Sequence, residues 1–254
     1  MNLLDTGIEA ARAAGQEIVK RLSQERDVRS KGFRDIVTDA DLAAQAVLVS
    51  VIRSRFPQHA IFSEEGLKPS REAETMWVLD PLDGTTNYAH RYPCFSVSIG
   101  VVRGDEPVVG VVYDPLQDHL FCVERGAGAT MNGARLRVSQ TDQLIHALVA
   151  LDYAREPRLR AEQMAAMVNC SRHIQTFRSL GSAALSLCYV AAGWLEAYFH
   201  WTLSPWDVAA GSLMLLEAGG AITDINGQPW HYTLPRCLAT NSVLHSAFVE
   251  AMRA

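Results

Sequence analysis

Residues 77–88 read WVLDPLDGTTNY. An apolar run of strand character delivers two carboxylates, Asp80 and Asp83, and then at once a glycine and two threonines. A strand that only had to fill a core would not end this way. Pro81 has no amide N–H to give to a sheet ladder, so the run TMWVLD predicts a strand that stops at Asp80. Carboxylates at a strand end suit a layered α/β protein, where ligands bind beyond the ends of strands.

The flanking pattern agrees. Leu4, Ile8, Ala11, Ile18 and Leu22 recur at helical spacing, which predicts a helix from Leu3 to about Leu22. A second helix is expected from TDAD through LAAQAVLVSVIRSRF, capped by Asp39 or Thr38 and ended by Pro57. HAIFSEEG reads as a short strand leaving the core at Glu64. FSVSIGVVRGDEPVVGVVYDP reads as two strands around the turn RGDEP, and DHLFCVERGAGATMNGARLRV adds hairpin-like pieces. After about Asp142 strands (ALVAL, IQTF, LEAYF) alternate with helices (RAEQMAAMV, GSAALSLCYVAAG, SPWDVAAGSLMLLEAG), as in an α/β layer. Two halves are therefore expected, residues 1–142 and 143–254. No Pro/Gly/Ser linker separates them, so they should share a cleft within one compact unit. The first half carries most of the candidate ligands, and the second carries Asp207 and the wall that faces them.

A net charge of −5 argues against a general nucleic-acid or membrane-surface binder. The basic stretches EPRLR and ARLRV are too short and scattered to form a nucleic-acid surface. The five cysteines form no Cys-x-x-Cys pair and read as reduced thiols, which suggests a cytoplasmic protein. No signal peptide is evident, and no apolar run approaches the roughly 18 residues of a membrane span. The tryptophans are expected in the core or at a subunit interface, with Trp206 walling the site.

Glu64, Asp80, Asp83 and Asp207 all fall at the ends of expected elements. Such oxygen ligands suit magnesium or manganese. Each has an ordinary alternative. Asp83 before Gly84 is a common turn pair, Asp207 is a common partner for a helix start, and one of Glu64 and Glu65 could simply face solvent. Their joint occurrence carries the reading. Gly84 would let backbone approach a ligand closely, and the N–H groups of Gly84 and Thr85 could bind phosphate oxygens if a short helix starts there. The alternative is a capped turn with no ligand.

DPLDGTTN together with PWDVAAG resembles the two signature segments of the inositol monophosphatase family, which are magnesium-dependent, lithium-sensitive sugar phosphatases. DIVTDAD, FSEEG and GSAALSLCYVAAG resemble further family segments in the same order, so the likeness covers nearly the whole chain. It implies a five-layer αβαβα sandwich, a homodimer, and Mg2+-dependent hydrolysis of a small phosphate monoester by in-line attack of a metal-activated water. By that resemblance Glu64, Asp80 and the Leu82 carbonyl hold one ion, and Asp80, Asp83 and Asp207 hold a second. A third ion sits loosely near Glu64, Mn2+ is an alternative to Mg2+, and Li+ inhibits. Thr85, hydrogen-bonded to Asp41, orients or deprotonates the water together with Glu64. Lys31 corresponds to a basic residue on the loop before Asp41, or else is a solvated lysine. Asp83, Gly84, Thr85, Thr86, Asp207 and the segment Gly181-Ser182-Ala183 lie along the substrate, or that segment is only a small-residue helix start.

Inositol-hydrolysing relatives commonly carry a Glu seven residues before the second motif's Asp. Here that place is His200, which can carry a positive charge near neutral pH. The substrate therefore stays open among inositol monophosphate, another sugar or polyol phosphate, fructose 1,6-bisphosphate, histidinol phosphate and a 3′-phosphoadenosine nucleotide. A regulatory binding protein that retains the fold is a further alternative. That alternative includes binding to RNA machinery; no membrane, and no nucleic acid as primary partner, is expected.

Overall fold

The structure, a computed structural model, describes residues 2–24, 27–68 and 73–253. Helices α1 (Leu3–Arg21) and α2 (Asp39–Arg55) make the first layer. The buried face of α1 is built from Thr6, Gly7, Ala10, Ala11, Ala14, Gly15 and Ile18, small enough for close approach to the sheet beneath. Thr38 caps α2, as the TDAD pattern predicts. The hairpin of β1 (Val28–Gly32) and β2 (Asp35–Thr38) lies between the two helices in the chain.

The second layer is a seven-stranded sheet in sequential order. Its strands are β3 (Ala60–Ser63), β4 (Thr75–Asp83), β5 (Ser96–Arg103), β6 (Glu106–Asp114), β7 (His119–Glu124), β8 (Gly128–Met131) and β9 (Ala134–Arg135). The third layer is a pair of helices, α5 (Ala183–Ala191) and α6 (Pro205–Glu217), which are apolar nearly all round because each lies between two sheets. The fourth is a five-stranded sheet of β10 (Leu148–Leu151), β11 (Thr176–Arg178), β12 (Ala197–His200), β13 (Ala221–Thr223) and β14 (Cys237–Thr240), in the order β11-β10-β12-β14-β13. Helices α4 (Pro157–Ser171) and α7 (His245–Arg253) cover its outer face. This is the expected αβαβα sandwich. Elements β13, β14 and α7 lie in a stretch for which periodicity named no element.

Two details of the sheet position the site. The first is the end of β4. The strand does not stop at Asp80 but runs on to Asp83 through a bulge, with Asp80 opposite Ser98 and Asp83 opposite Ser96. Residues three apart on a regular strand point to opposite faces. The extra residue in the bulge returns Asp83 to the face that Asp80 uses, and Pro81, which has no N–H to offer, sits where the ladder is interrupted.

The second is the seat of α6. Gly100 and Gly110 are direct partners on β5 and β6. A Cβ on Gly100 would lie 2.8 Å from Ala209 Cβ, and one on Gly110 would lie 3.0 Å from Ala210 Cα. The missing side chains let α6 settle onto the sheet, and its first turn, with Asp207, comes down beside the end of β4. Ser98, opposite Asp80, donates to the Trp206 carbonyl at 3.3 Å, which ties that turn in place.

Among the described residues no helix is long and apolar enough to cross a membrane. The five cysteines are free thiols, and burial pushes those of Cys94, Cys170 and Cys237 up to about 12. Trp77 and Trp201 are buried, whereas Trp194 is largely exposed.

Candidate active site

A cavity of about 840 Å³ is lined by Glu64 after β3, Asp80 and Asp83 on the bulge of β4, Asp207 on α6 and His200 on β12. Thr85 lines it too, from the short helix α3 (Thr85–Ala89) that follows Gly84. Asp80 is 2% exposed, and its Oδ1 accepts from the Leu82 N–H at 3.0 Å. Burial pushes its carboxyl well above the usual range, and the charges of Glu64, Asp83 and Asp207 push it further. Asp83 is pushed up to about 6 by burial, against the pull of its donors. Those donors are the Ser182 hydroxyl and the N–H groups of Ala184 (2.9 Å) and Ala183 (3.2 Å). Asp207 accepts from the Ser204 N–H at 2.7 Å. Burial pushes it well above the ordinary range, and Asp83 and Glu64 add to the rise.

The acids therefore share one cavity and bear on one another, yet each is tied to a donor of its own. Among the described residues no three ligating side chains already stand together as a metal cage.

Behind the cavity wall Asp41 is 1% exposed. Its Oδ2 accepts the Thr38 N–H (2.8 Å) and the Thr38 hydroxyl (2.5 Å). Its Oδ1 lies 3.0 Å from Thr85 Oγ1, which is also 3.1 Å from the Leu82 carbonyl. Burial, opposed by the Thr38 and Thr85 bonds, pushes the Asp41 carboxyl up to about 6. Lys31, on the β1–β2 hairpin, is not a free solvated lysine. Its Nζ reaches Glu64 at 2.9 Å and Glu65 at 2.8 Å. Glu65 accordingly does not face solvent. Burial would lower the Lys31 pKa, but the two carboxylates more than offset it and the ammonium is held charged.

The opposite wall corrects further expectations. His200 is 8% exposed, and burial together with the charge of Arg155 pushes its pKa down to about 4. It is neutral at physiological pH, not cationic. Its Nδ1 accepts from the Thr202 N–H at 3.0 Å, so the neutral ring carries its proton on Nε2. Gly181 and Ala183 line the cavity, whereas Ser182 is buried with its hydroxyl on Asp83. Gly84 and Thr86 line the cavity. A Cβ at Gly84 would meet the carbonyls of Cys94 (3.0 Å) and Gly181 (3.2 Å), so the protein's own backbone, before any ligand, requires glycine there.

The sequence profile of the inositol monophosphatase family matches residues 2–254. The chain belongs to that family. A Nus factor SuhB from Vibrio cholerae is 42% identical to it over 233 residues, covering 89% of this chain and 86% of that protein. Inositol monophosphatase 2 of Solanum lycopersicum is 40% identical over 258 residues, covering 98% and 97%. The crystal structure of the extragenic suppressor protein suhB from Bartonella henselae matches with a TM-score of 0.95 at 32% identity, covering 99% and 98%. Membership in the inositol monophosphatase family supports a phosphatase activity.

Among the cavity residues that the sequence reading of this inositol monophosphatase family member did not single out, one is a carboxylate after a strand. Asp152 directly follows β10 and lines the cavity. The signal was available, because an acid straight after the apolar run ALVAL repeats the arrangement that drew attention to Asp80.

Proposed function

We propose that the protein is a Mg2+-dependent phosphomonoesterase acting on inositol monophosphate or a related sugar or polyol phosphate. The observation that carries this reading is the meeting of Glu64, Asp80, Asp83 and Asp207 in one cavity with Thr85, which is backed by Asp41. The donors fit a hard divalent cation. They are carboxylates, and Asp80 is buried among acids that raise its proton affinity, a charge arrangement that a cation would relieve. Glu64, Asp80 and the Leu82 carbonyl would hold one ion, and Asp80, Asp83 and Asp207 another; the looser third that the resemblance implies near Glu64 would meet the Lys31 ammonium there. Mn2+ suits the same oxygens. Such ions supply charge neutralisation for the phosphoryl group and lower the pKa of water.

The chain's own groups do the rest. Asp41 Oδ2 is saturated by Thr38, so Oδ1 takes the Thr85 proton. Thr85 Oγ1 then keeps lone pairs for a water in the cavity. A carboxyl near 6 can accept the proton that such a water passes through Thr85 at neutral pH. Gly84, Thr85 and Thr86 line the cavity where phosphate oxygens would lie. The neutral His200 offers the substrate an N–H and no positive charge of its own, and Arg155, whose charge bears on it, lines the same cavity. The resemblance also supports a homodimer. Relatives named as Nus factors support a second reading, a regulatory binding role alongside hydrolysis.

The deciding experiment measures phosphate release from inositol 1-phosphate, fructose 1,6-bisphosphate, histidinol phosphate and a 3′-phosphoadenosine nucleotide. It is run with Mg2+, with chelator, and with Li+ added. Release that needs Mg2+, falls with Li+ and is fastest on the inositol ester is expected. No Mg2+-dependent release from any ester would overturn the proposal.

A further inference from the structure

The hairpin of β1 and β2 touches both halves of the cavity wall. Lys31, on β1, pairs with Glu64 and Glu65, which follow β3 of the first sheet. Asp35, the first residue of β2, pairs with Arg155, which lies just beyond the end of β10 in the second sheet. Arg155 Nη1 stands 3.0 Å from Asp35 Oδ1, and both side chains line the cavity. The pair therefore links one half of the protein to the other across the cavity.

The two ends of this link are unlike. The turn that carries Arg155 is braced. Gln163, which is 1% exposed, accepts from the Ala154 N–H at 2.9 Å and donates to the Asp152 carbonyl, and Arg160 Nε donates to the Ala154 carbonyl at 2.9 Å. The hairpin lacks such bracing, since all five residues of β1 are exposed. Asp35 Oδ1 is sealed from solvent, so the guanidinium opposite supplies the compensation that water would otherwise give. The Arg155 side chain is 57% exposed, which puts the link at the solvent side of the cavity, whereas Asp80 and Asp83 are buried.

We propose that the Asp35–Arg155 pair is a bridge across the cavity mouth that limits the size of the alcohol on the substrate, an assignment that rests on the phosphomonoesterase reading. The phosphate of any ester goes to the buried acids. A compact alcohol such as inositol ends close to its phosphate, whereas the base of a nucleotide stands a ribose further out, where the bridge closes. A partly exposed ion pair shifts an open–closed balance by a factor of about 1.5 to 5, so the bridge filters without sealing.

The test compares wild type, Arg155→Gln, Asp35→Asn, Asp35→Arg and the exchanged pair Asp35→Arg with Arg155→Asp on inositol 1-phosphate and adenosine 3′-monophosphate. Both are monophosphates, so a changed charge at the rim acts on both alike and cancels in the ratio of their kcat/KM values. The ratio of nucleotide to inositol ester is expected to rise about two- to fivefold in Arg155→Gln and in Asp35→Asn. It should rise further in Asp35→Arg, where like charges meet, and return toward wild type in the exchanged pair. A ratio within about 1.5-fold of wild type in both neutral variants, or an exchanged pair no closer to wild type than Asp35→Arg, overturns the bridge. Hydrogen exchange of the hairpin amides reads the link without hydrolysis. It should quicken severalfold in the neutral variants and slow again in the exchanged pair, and equal exchange in all of them overturns the bridge. Wild type that releases phosphate from neither ester sinks the phosphomonoesterase reading, and the exchange rates then decide the bridge alone.

Discussion

Replacing Asp41 with asparagine should make the protein more stable and less active, and the gain in stability should depend on pH. The wild-type carboxyl is 1% exposed, and its pKa stands near 6 against an ordinary 3.8. Folding thus favours the neutral form. The stability this contributes is fully present below pH 3.8 and is lost as pH rises through 6. At about pH 7.5 the ionised group costs about 3 kcal/mol, and at about pH 4.5 about 1 kcal/mol. Asparagine removes that cost without breaking bonds. Its oxygen still accepts both Thr38 donors, and its Nδ2 donates to Thr85 Oγ1, whose own proton turns to the Leu82 carbonyl at 3.1 Å. For a chain of this size the gain corresponds to a rise in Tm of roughly 5–10 °C at about pH 7.5. The assay is calorimetric melting of both proteins in chelator across that pH range, with phosphate release measured alongside. Activity should fall by about a hundredfold because no proton acceptor remains behind Thr85. A variant less stable than wild type at about pH 7.5, or a gain that does not shrink toward pH 4.5, would refute the reasoning.

Asp207→Asn should lower phosphate release by about a hundredfold or more while circular dichroism stays native, and a folded variant with near-native rate removes Asp207 from the site. Thr85→Ala should lower kcat by about a hundredfold at an unchanged Mg2+ requirement, and a shifted Mg2+ titration with an unchanged kcat would contradict its water-facing role. Gly181→Ala forces a side chain onto a residue with φ +72°, where its Cβ meets Asn87 Nδ2 at 2.7 Å. It should cost about 1–3 kcal/mol in urea unfolding, and an unchanged midpoint would show that the Asn87 side chain yields freely.

The parts of the site that were legible in the sequence are local. DPLDGTTN and PWDVAAG carry their acids within a few residues, and Thr38 announces itself as a cap beside Asp41 because capping is a short-range interaction. Three features depended on contacts between distant segments. Lys31 meets Glu64 and Glu65 across 33 and 34 residues. The charge of His200 stayed open because pKa follows burial, which periodicity does not report. Pro81 looked like the end of a strand, yet a bulge carries the chain past it, and a bulge is defined by the partner strand. Asp152 was passed over although it follows the apolar run ALVAL as Asp80 follows its strand, because no second acid or glycine-threonine turn comes after it. At the level of layers the reading fared better. The nearly unbroken apolar character of α5 and α6 is a local property, and it means burial on both sides.

Asp83 sits on a strand of the first sheet, and most of the bonds that hold it come from the opening turn of α5. A cation drawn to those same oxygens would compete with the amides and hydroxyl that anchor the helix. Ion uptake and the fastening of that helix then become two readings of one equilibrium, and linkage requires each to alter the other by the same factor. Changes far from the cavity that strain or relax the seat of α5 should therefore appear as altered ion affinity, even where no side chain near the substrate has moved.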